Sequence, residues 1–131
     1  TVVADDPELT ARTDPPSSRQ PIRLVLGAIP EGASCLPAES LQGELGGILD
    51  ELGRRGVLQL LVEGGASVAK SFFEAGLADR IVVYLAPALF GGDDGRPVMA
   101  GPGAGTMEGL WRGRFVSVAQ LGEDLRVEVE P

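Results

Sequence analysis

Val57-Leu58-Gln59-Leu60-Leu61-Val62 runs directly into Glu63-Gly64-Gly65-Ala66-Ser67. The first six residues are almost continuously apolar, as in a strand buried on both faces. Ala66, Ala69, Phe72 and Phe73 then recur at helical spacing, and Gly76 closes that helix. Arg80-Ile81-Val82-Val83-Tyr84-Leu85 is a second apolar strand. Upstream, Ser40 is a candidate N-cap. Leu41, Leu45, Ile48, Leu49 and Leu52 follow it at amphipathic-helix spacing, with Gly53 or Gly56 as the stop and Arg54 and Arg55 at the C-terminal end. Residues 40–85 therefore predict helix, strand, helix, strand with short loops. That is a βαβ crossover, and it predicts a parallel pair.

Working outward, Thr1 to Pro7 reads as the end of a strand entering a turn, so the chain is expected to begin inside a domain. Residues 13–20 are a loop by composition, and Pro21 to Leu26 form a short strand. Gly27 to Ala38 is turn-rich. Pro87 to Gly109 is a long glycine-rich loop, a length that in compact domains usually signals function. Arg114 to Gln120 and Leu125 to Glu130 read as an antiparallel hairpin turned by Gly122-Glu123-Asp124. In its second strand Leu125, Val127 and Val129 alternate with Arg126, Glu128 and Glu130, which predicts one wet face. Phe72, Phe73, Phe90, Trp111 and Phe115 are expected in the core. The class is α/β: a mostly parallel sheet flanked by helices, ending in an antiparallel hairpin, over a single domain of residues 1–131.

Composition removes several functions. The chain has 131 residues, one cysteine, no histidine and a net charge of −8. Without histidine there is no Ser-His or Cys-His catalytic pair, and no metal site is expected. The lone Cys35 forms no internal disulfide, which suits a reducing, cytoplasmic setting. No apolar run approaches the ~18 residues of a membrane span. A net charge of −8 argues against nucleic acid as a partner. An anionic ligand must then be held by backbone N–H groups and a few of the arginines.

The strand–Gly64-Gly65–helix junction meets that requirement. Two glycines allow a close backbone approach, and the helix N-terminus offers free N–H groups with a partial positive charge. Its alternative is a tight turn with no ligand. Glu63 ends an apolar strand at the sheet edge where α/β proteins bind ligands; the alternative is a turn or helix-dipole contact. Asp5-Asp6-Pro7 with Arg12 six residues after Asp6 is a second candidate, or else a solvated cap. Gly91-Gly92 forms either a neighbouring wall of the same cleft or a simple turn.

Taken together, the motifs resemble the pyrimidine reductase domain of riboflavin biosynthesis. They are Thr1-Val-Val-Ala-Asp-Asp-Pro-Glu-Leu-Thr-Ala-Arg12, Arg23-Leu-Val-Leu26, Leu52-Gly-Arg-Arg-Gly56, Leu61-Val-Glu-Gly-Gly-Ala66, Phe73-Glu-Ala-Gly-Leu-Ala-Asp79, Tyr84-Leu-Ala-Pro-Ala-Leu-Phe-Gly-Gly92 and Gly122-Glu-Asp-Leu-Arg126. Each motif is weak alone; their order along nearly the whole chain is specific. The resemblance implies a dihydrofolate-reductase-like fold. It also implies NADPH-dependent reduction of 5-amino-6-(5-phosphoribosylamino)uracil to the ribitylamino form.

Carried over by motif, Thr1 and Asp5 contact NADPH, and Gly64, Gly65, Ala66, Ser67, Val68, Ala69, Lys70 and Ser71 surround its phosphates. Leu9 and Arg12 contact the substrate, with Arg12 paired to its phosphate, and Glu63 holds the substrate. Asp5 and Glu63 are the candidate catalytic acids. Two departures stand out. Gly27-Ala28 occupies the place where the family commonly has Asp-Ser, and the family's first strand, a Ser-Leu-Asp-Gly-like motif and a helix would all precede Thr1. An N-terminally truncated domain is therefore expected, with self-association as a homodimer covering the open sheet. The competing readings are a catalytically incomplete nucleotide-binding or assembly module, a reductase of another pterin- or pyrimidine-like substrate, and a relative sharing only the fold.

Overall fold

The computed structural model describes residues 1–89, 91–92 and 94–131. Phe90, expected in the core, lies outside them. The described chain forms two compact units, Thr1–Leu61 and Val62–Pro131.

The first unit starts with a single helical turn, α1 (Val2–Asp5), rather than the expected strand end. The Thr1 carbonyl accepts from the N–H groups of Ala4 and Asp5, at 3.1 and 2.7 Å. Local bonding wins here because no neighbouring strand offers the segment a ladder. β1 (Leu24–Leu26) and β2 (Glu39–Leu41) form a parallel pair, with Val25 opposite Ser40. Ser40 is thus a strand residue and not a helix cap. Its Oγ donates to the Gly27 carbonyl at 2.7 Å, which ties the ends of the pair together. Beneath the pair, Val25, Ala33 and the fully buried Cys35 make a small core, with Val2, Leu9, Ile29 and Ala38 packed against it. A small thiol fits such a space as a hydrophobe.

α2 (Leu45–Arg54) begins after Gly43, with Glu44 as its cap residue, and buries Ile48 and Leu52. Its end is a glycine stop: Gly56 adopts a φ of 82°, and the N–H groups of Gly56 and Val57 reach back to the carbonyls of Gly53 and Leu52. Arg55 then grips Glu39 in a bidentate pair of 2.7 and 2.8 Å, linking the end of α2 to β2.

The run 57–62 makes no strand pairing among the described residues, contrary to the sequence expectation. Leu58 is 99% exposed and Leu61 75% exposed. An extended segment is a strand only when neighbours accept and donate along its edges. The expected parallel partner, β3 (Ile81–Leu85), instead pairs antiparallel with β5 (Asp124–Glu130).

In the second unit α3 (Ala66–Glu74) buries Phe72. Gly76 ends it at a φ of 65°, with the N–H groups of Gly76 and Leu77 on the carbonyls of Phe73 and Phe72. β4 (Arg114–Leu121) and β5 form the expected hairpin, closed by Gly122 at a φ of 65°, and the sheet order is β3-β5-β4. The predicted alternation holds only in part: Leu125 is exposed at 39%, and Arg126 and Glu130 are partly covered. Glu128 on the charged face of β5 is only 6% exposed, because Arg80 and Arg126 cover it at 2.9 and 2.8 Å. Of the expected core aromatics, Phe72 is buried and Phe73 meets Trp111 edge-on with ring centroids 5.4 Å apart. Phe115 is 74% exposed on the hairpin, so it is not core. The α/β class holds, with the parallel ladder in β1–β2 and the antiparallel hairpin at the C-terminal end.

Candidate functional site

The predicted site residues fall into two groups, one in each unit. The first is the segment Thr1 to Arg12. Asp6 follows α1 in the left-handed conformation at a φ of 41° and ψ of 55°, and Leu9 has a φ of 52°. An aspartate tolerates that region and a leucine rarely does, so the surrounding packing must hold the segment's course. Val2 and Leu9 supply apolar anchors on the Cys35 core. Gln20 Oε1 accepts from the Ala11 N–H at 2.9 Å, and Arg23 donates to the Glu8 carbonyl at 3.5 Å.

The same anchoring leaves Thr1, Asp5 and Arg12 exposed. Among the described residues the Arg12 side chain pairs with Glu8 alone, at 3.6 Å, with both side chains mostly in solvent, so its guanidinium is held loosely. Leu9 is partly buried against the core, an unexpected setting for a residue proposed to touch substrate. Neighbouring Asp6 is engaged at both oxygens: the Ser34 N–H donates at 2.8 Å and the Ser34 hydroxyl at 2.7 Å. The hydroxyl first, and the backbone N–H second, hold the Asp6 carboxyl below the usual carboxylate range.

The second group surrounds the start of α3. Gly65 is its cap residue in extended conformation, and among the described residues no side-chain hydrogen bond caps the helix. Among the described residues, the N–H groups of the first turn, Ala66, Ser67 and Val68, have no acceptor. Gly64 must be glycine for a steric reason: a Cβ there would lie 2.5 Å from the Cβ of Val68. Glu63 is exposed just before this turn. Lys70 faces elsewhere, donating to the Pro102 carbonyl at 3.0 Å and pairing with Glu74 at 3.3 Å. The Ala100 N–H bonds the Ala66 carbonyl at 3.0 Å, so residues 100–102 lie along α3. Ser71 turns its hydroxyl to the Ser67 carbonyl at 3.0 Å.

A separate cavity of about 320 Å³ opens between β2 and α2, lined by Glu39, Leu41, Glu44, Ile48 and Arg55 among others. It contains none of the predicted residues, and the Glu39–Arg55 pair spans it. Among the described residues no group of three or more histidine, cysteine or acidic side chains could hold a metal ion. No described helix is long and apolar enough to cross a membrane.

With this geometry in hand, the likeness to known proteins is decisive. The family model described as the RibD C-terminal domain matches residues 1–127. The chain belongs to the RibD C-terminal domain family. It is 38% identical to the riboflavin biosynthesis protein RibD of Mycobacterium tuberculosis over 95% of this chain and 38% of that protein. It is 29% identical to the 2,5-diamino-6-ribosylamino-4(3H)-pyrimidinone 5′-phosphate reductase of Methanothermobacter thermautotrophicus, over 98% of this chain and 74% of that protein. A solved structure of Acinetobacter baumannii RibD superposes with a TM-score of 0.87 at 25% identity, over 99% of this chain and 44% of that one. The chain therefore spans about two fifths of the RibD proteins it matches. The recognised family and the dihydrofolate-reductase-like α/β fold stand as expected from the motifs.

Sequence reading missed the residues that hold this RibD C-terminal segment in place: Ser34, Gln20 and Arg23 for Thr1 to Arg12, and residues 100–102 for the start of α3. Asp6 had a weak signal, since aspartate tolerates the left-handed region better than most residues. Its partner 28 positions away had none.

Proposed function

We propose that this chain is the reductase domain that reduces 5-amino-6-(5-phosphoribosylamino)uracil to its ribitylamino form in riboflavin biosynthesis, with NADPH as cofactor. The single observation that carries the reading is the uncapped N-terminus of α3 behind Gly64-Gly65, in a chain whose residues 1–127 match the RibD C-terminal family. The printed name of the Methanothermobacter relative, a pyrimidinone 5′-phosphate reductase, supports the same substrate class. On this reading residues 1–131 act as one reductase domain, and a homodimer in the cytoplasm is its working form.

The α3 start fits a phosphate-bearing cofactor by its chemistry. Three N–H groups without a partner among the described residues and the helix dipole favour an anion, and Gly64 lets the chain enter α3 close against Val68. When bound, NADPH supplies the hydride. Gly64 to Ser71 hold its phosphates, chiefly through the backbone of the first turn, since Lys70 is engaged with Pro102 and Glu74. Thr1 and Asp5 make further cofactor contacts. Leu9 and Arg12 contact the substrate, and the exposed Arg12 guanidinium pairs with its phosphate. Glu63 orients the substrate. Opening of the sugar ring to an imine at C1 requires a proton at the departing ring oxygen. Asp5 and Glu63 are the side chains assigned to that transfer, directly or through a water. Orientation alone supplies up to roughly 7–11 kcal/mol of the barrier.

The test is calorimetric titration of this chain with NADPH and NADH, followed by NADPH consumption with the phosphoribosylaminouracil. Preferential NADPH binding and turnover are expected, and Glu63→Gln is expected to lower kcat/KM. Binding of NADPH with no turnover would instead favour the catalytically incomplete nucleotide-binding module. Failure to bind either cofactor would sink both readings.

A further inference from the structure

Asp5 and Asp6 are adjacent carboxylates with opposite situations. Asp5 is exposed, and its carboxylate takes no hydrogen bond or ion pair among the described residues. Asp6 has both oxygens occupied by one residue, Ser34, at 2.8 Å from the N–H and 2.7 Å from the hydroxyl. Ser34 is a firm anchor, because it stands between Ala33, 8% exposed, and Cys35, fully buried. Asp6 is also the residue at which the chain leaves α1 through the left-handed region, at a φ of 41°. That turn sets the direction in which Pro7 to Arg12 depart. Val2 and Leu9 bracket it and rest on the same small core as Ala33 and Cys35.

Three attachments thus hold eight residues, and the polar one lies midway. Apolar contacts alone are non-directional and would let the segment rotate about its axis. A carboxylate that accepts from both the backbone N–H and the hydroxyl of one serine fixes that rotation.

We propose that Asp6 is a positioning residue, clamped by Ser34, that sets the placement of Thr1, Asp5 and Arg12 for cofactor and substrate; this rests on the reductase reading above. Asp6 itself touches neither ligand. Its carboxylate is spent on Ser34, and its effect passes through the backbone to its neighbours.

The experiment compares Asp6→Ala, Asp6→Asn, Ser34→Ala and Ser34→Thr with the unmodified chain. It measures kcat and the KM for both NADPH and the phosphoribosylaminouracil, with the thermal midpoint alongside. Asp6→Ala loses both bonds and places alanine in the left-handed region; KM for both ligands is expected to rise roughly tenfold or more. Ser34→Ala loses one bond, for a rise of about threefold to tenfold. Asp6→Asn keeps an acceptor and tolerates the left-handed turn, so it falls between. Ser34→Thr keeps the hydroxyl and restores KM. Ile48→Ala in α2, far from the clamp along the chain, serves as a control that lowers the thermal midpoint without moving KM. KM values within twofold of the unmodified chain for both Asp6→Ala and Ser34→Ala would overturn the clamp while leaving the reductase reading intact. An equal rise in Ile48→Ala would show a merely structural effect and overturn it too. No turnover by the unmodified, folded chain overturns the reductase reading and the clamp with it.

Discussion

Glu128, 6% exposed in the central strand of the three-stranded sheet, receives Arg80 Nη1 on one carboxylate oxygen at 2.9 Å and Arg126 Nη1 on the other at 2.8 Å. Arg80 also reaches Glu130 at 2.8 Å, and Glu130 meets Arg114 of β4 at 2.8 Å. A chain of charges therefore runs across β3, β5 and β4 on the face that sequence alternation assigned to solvent. The covered carboxylate is tolerable only because both oxygens are paired. Glu128→Gln keeps the shape and removes the charge. It is expected to cost about 1.5–3 kcal/mol, the range for hydrogen bonds to charged groups. Urea unfolding of the variant, with an unchanged slope, is the measurement; a midpoint equal to the parent would refute a stabilising role for this carboxylate.

Gly64→Ala introduces a Cβ 2.5 Å from the Val68 Cβ. The start of α3 must shift, at a cost of roughly 1–3 kcal/mol for overpacking. NADPH affinity is expected to fall by about tenfold as the first-turn N–H groups move. Because the nearest atom is the Val68 Cβ itself, adding Val68→Ala leaves the clash in place. Only Val68→Gly relieves it, at about 1 kcal/mol of helix propensity. Rescue by Val68→Ala would contradict this packing.

Glu39 and Asp6 carry a pH dependence whose sign is fixed. The Arg55 guanidinium, by hydrogen bonding, holds the Glu39 carboxyl below its usual range, and Ser34 does the same for Asp6. A carboxyl with a lowered pKa in the folded state binds fewer protons there than in the unfolded chain. The stability from these pairs is thus fully present above the ordinary carboxylate pKa and drains away as pH falls from there through the lowered values. Urea midpoints measured downward from neutral pH should fall in that window. Glu39→Gln should flatten the fall; a curve parallel to that of the parent would remove Glu39 from the acid response.

Leu52 and Leu58 look alike in the sequence and differ entirely in the fold, at 2% and 99% exposure. Leu52→Ala should destabilise by about 2–5 kcal/mol, as a core truncation. Leu58→Ala should stay within about 0.5 kcal/mol, as a surface change. Chemical denaturation of the two variants side by side decides this. Equal costs would mean that the 57–62 run is packed in solution.

Legibility followed the range of the interactions involved. α2 and α3 and their glycine stops at Gly56 and Gly76 were readable because caps and helical periodicity act within a few residues. The hairpin was readable for the same reason: Gly122 supplies its turn locally. Ser40 misled as a cap because its preference for strand came from pairing with Val25, fifteen residues earlier. The run 57–62 misled more, since an apolar stretch states a need for burial without naming a partner. Glu128 hid its burial behind a clean alternation, because Arg80 lies 48 residues away.

The sequence by itself determined the family, the α/β class, the glycine-punctuated helix ends and the candidacy of Asp5, Arg12, Glu63 and the Gly64-Gly65 turn. Motif order and local turn chemistry are written along the chain, so they need no third dimension. Only the tertiary structure shows that Asp6 is held by Ser34 while the Asp5 carboxylate has no partner among the described residues, that Lys70 turns to Pro102, and that Gly64 is demanded by Val68. Each of those outcomes depends on which side chain meets which across the fold. Identical residue types can fill either role until distance and packing choose between them.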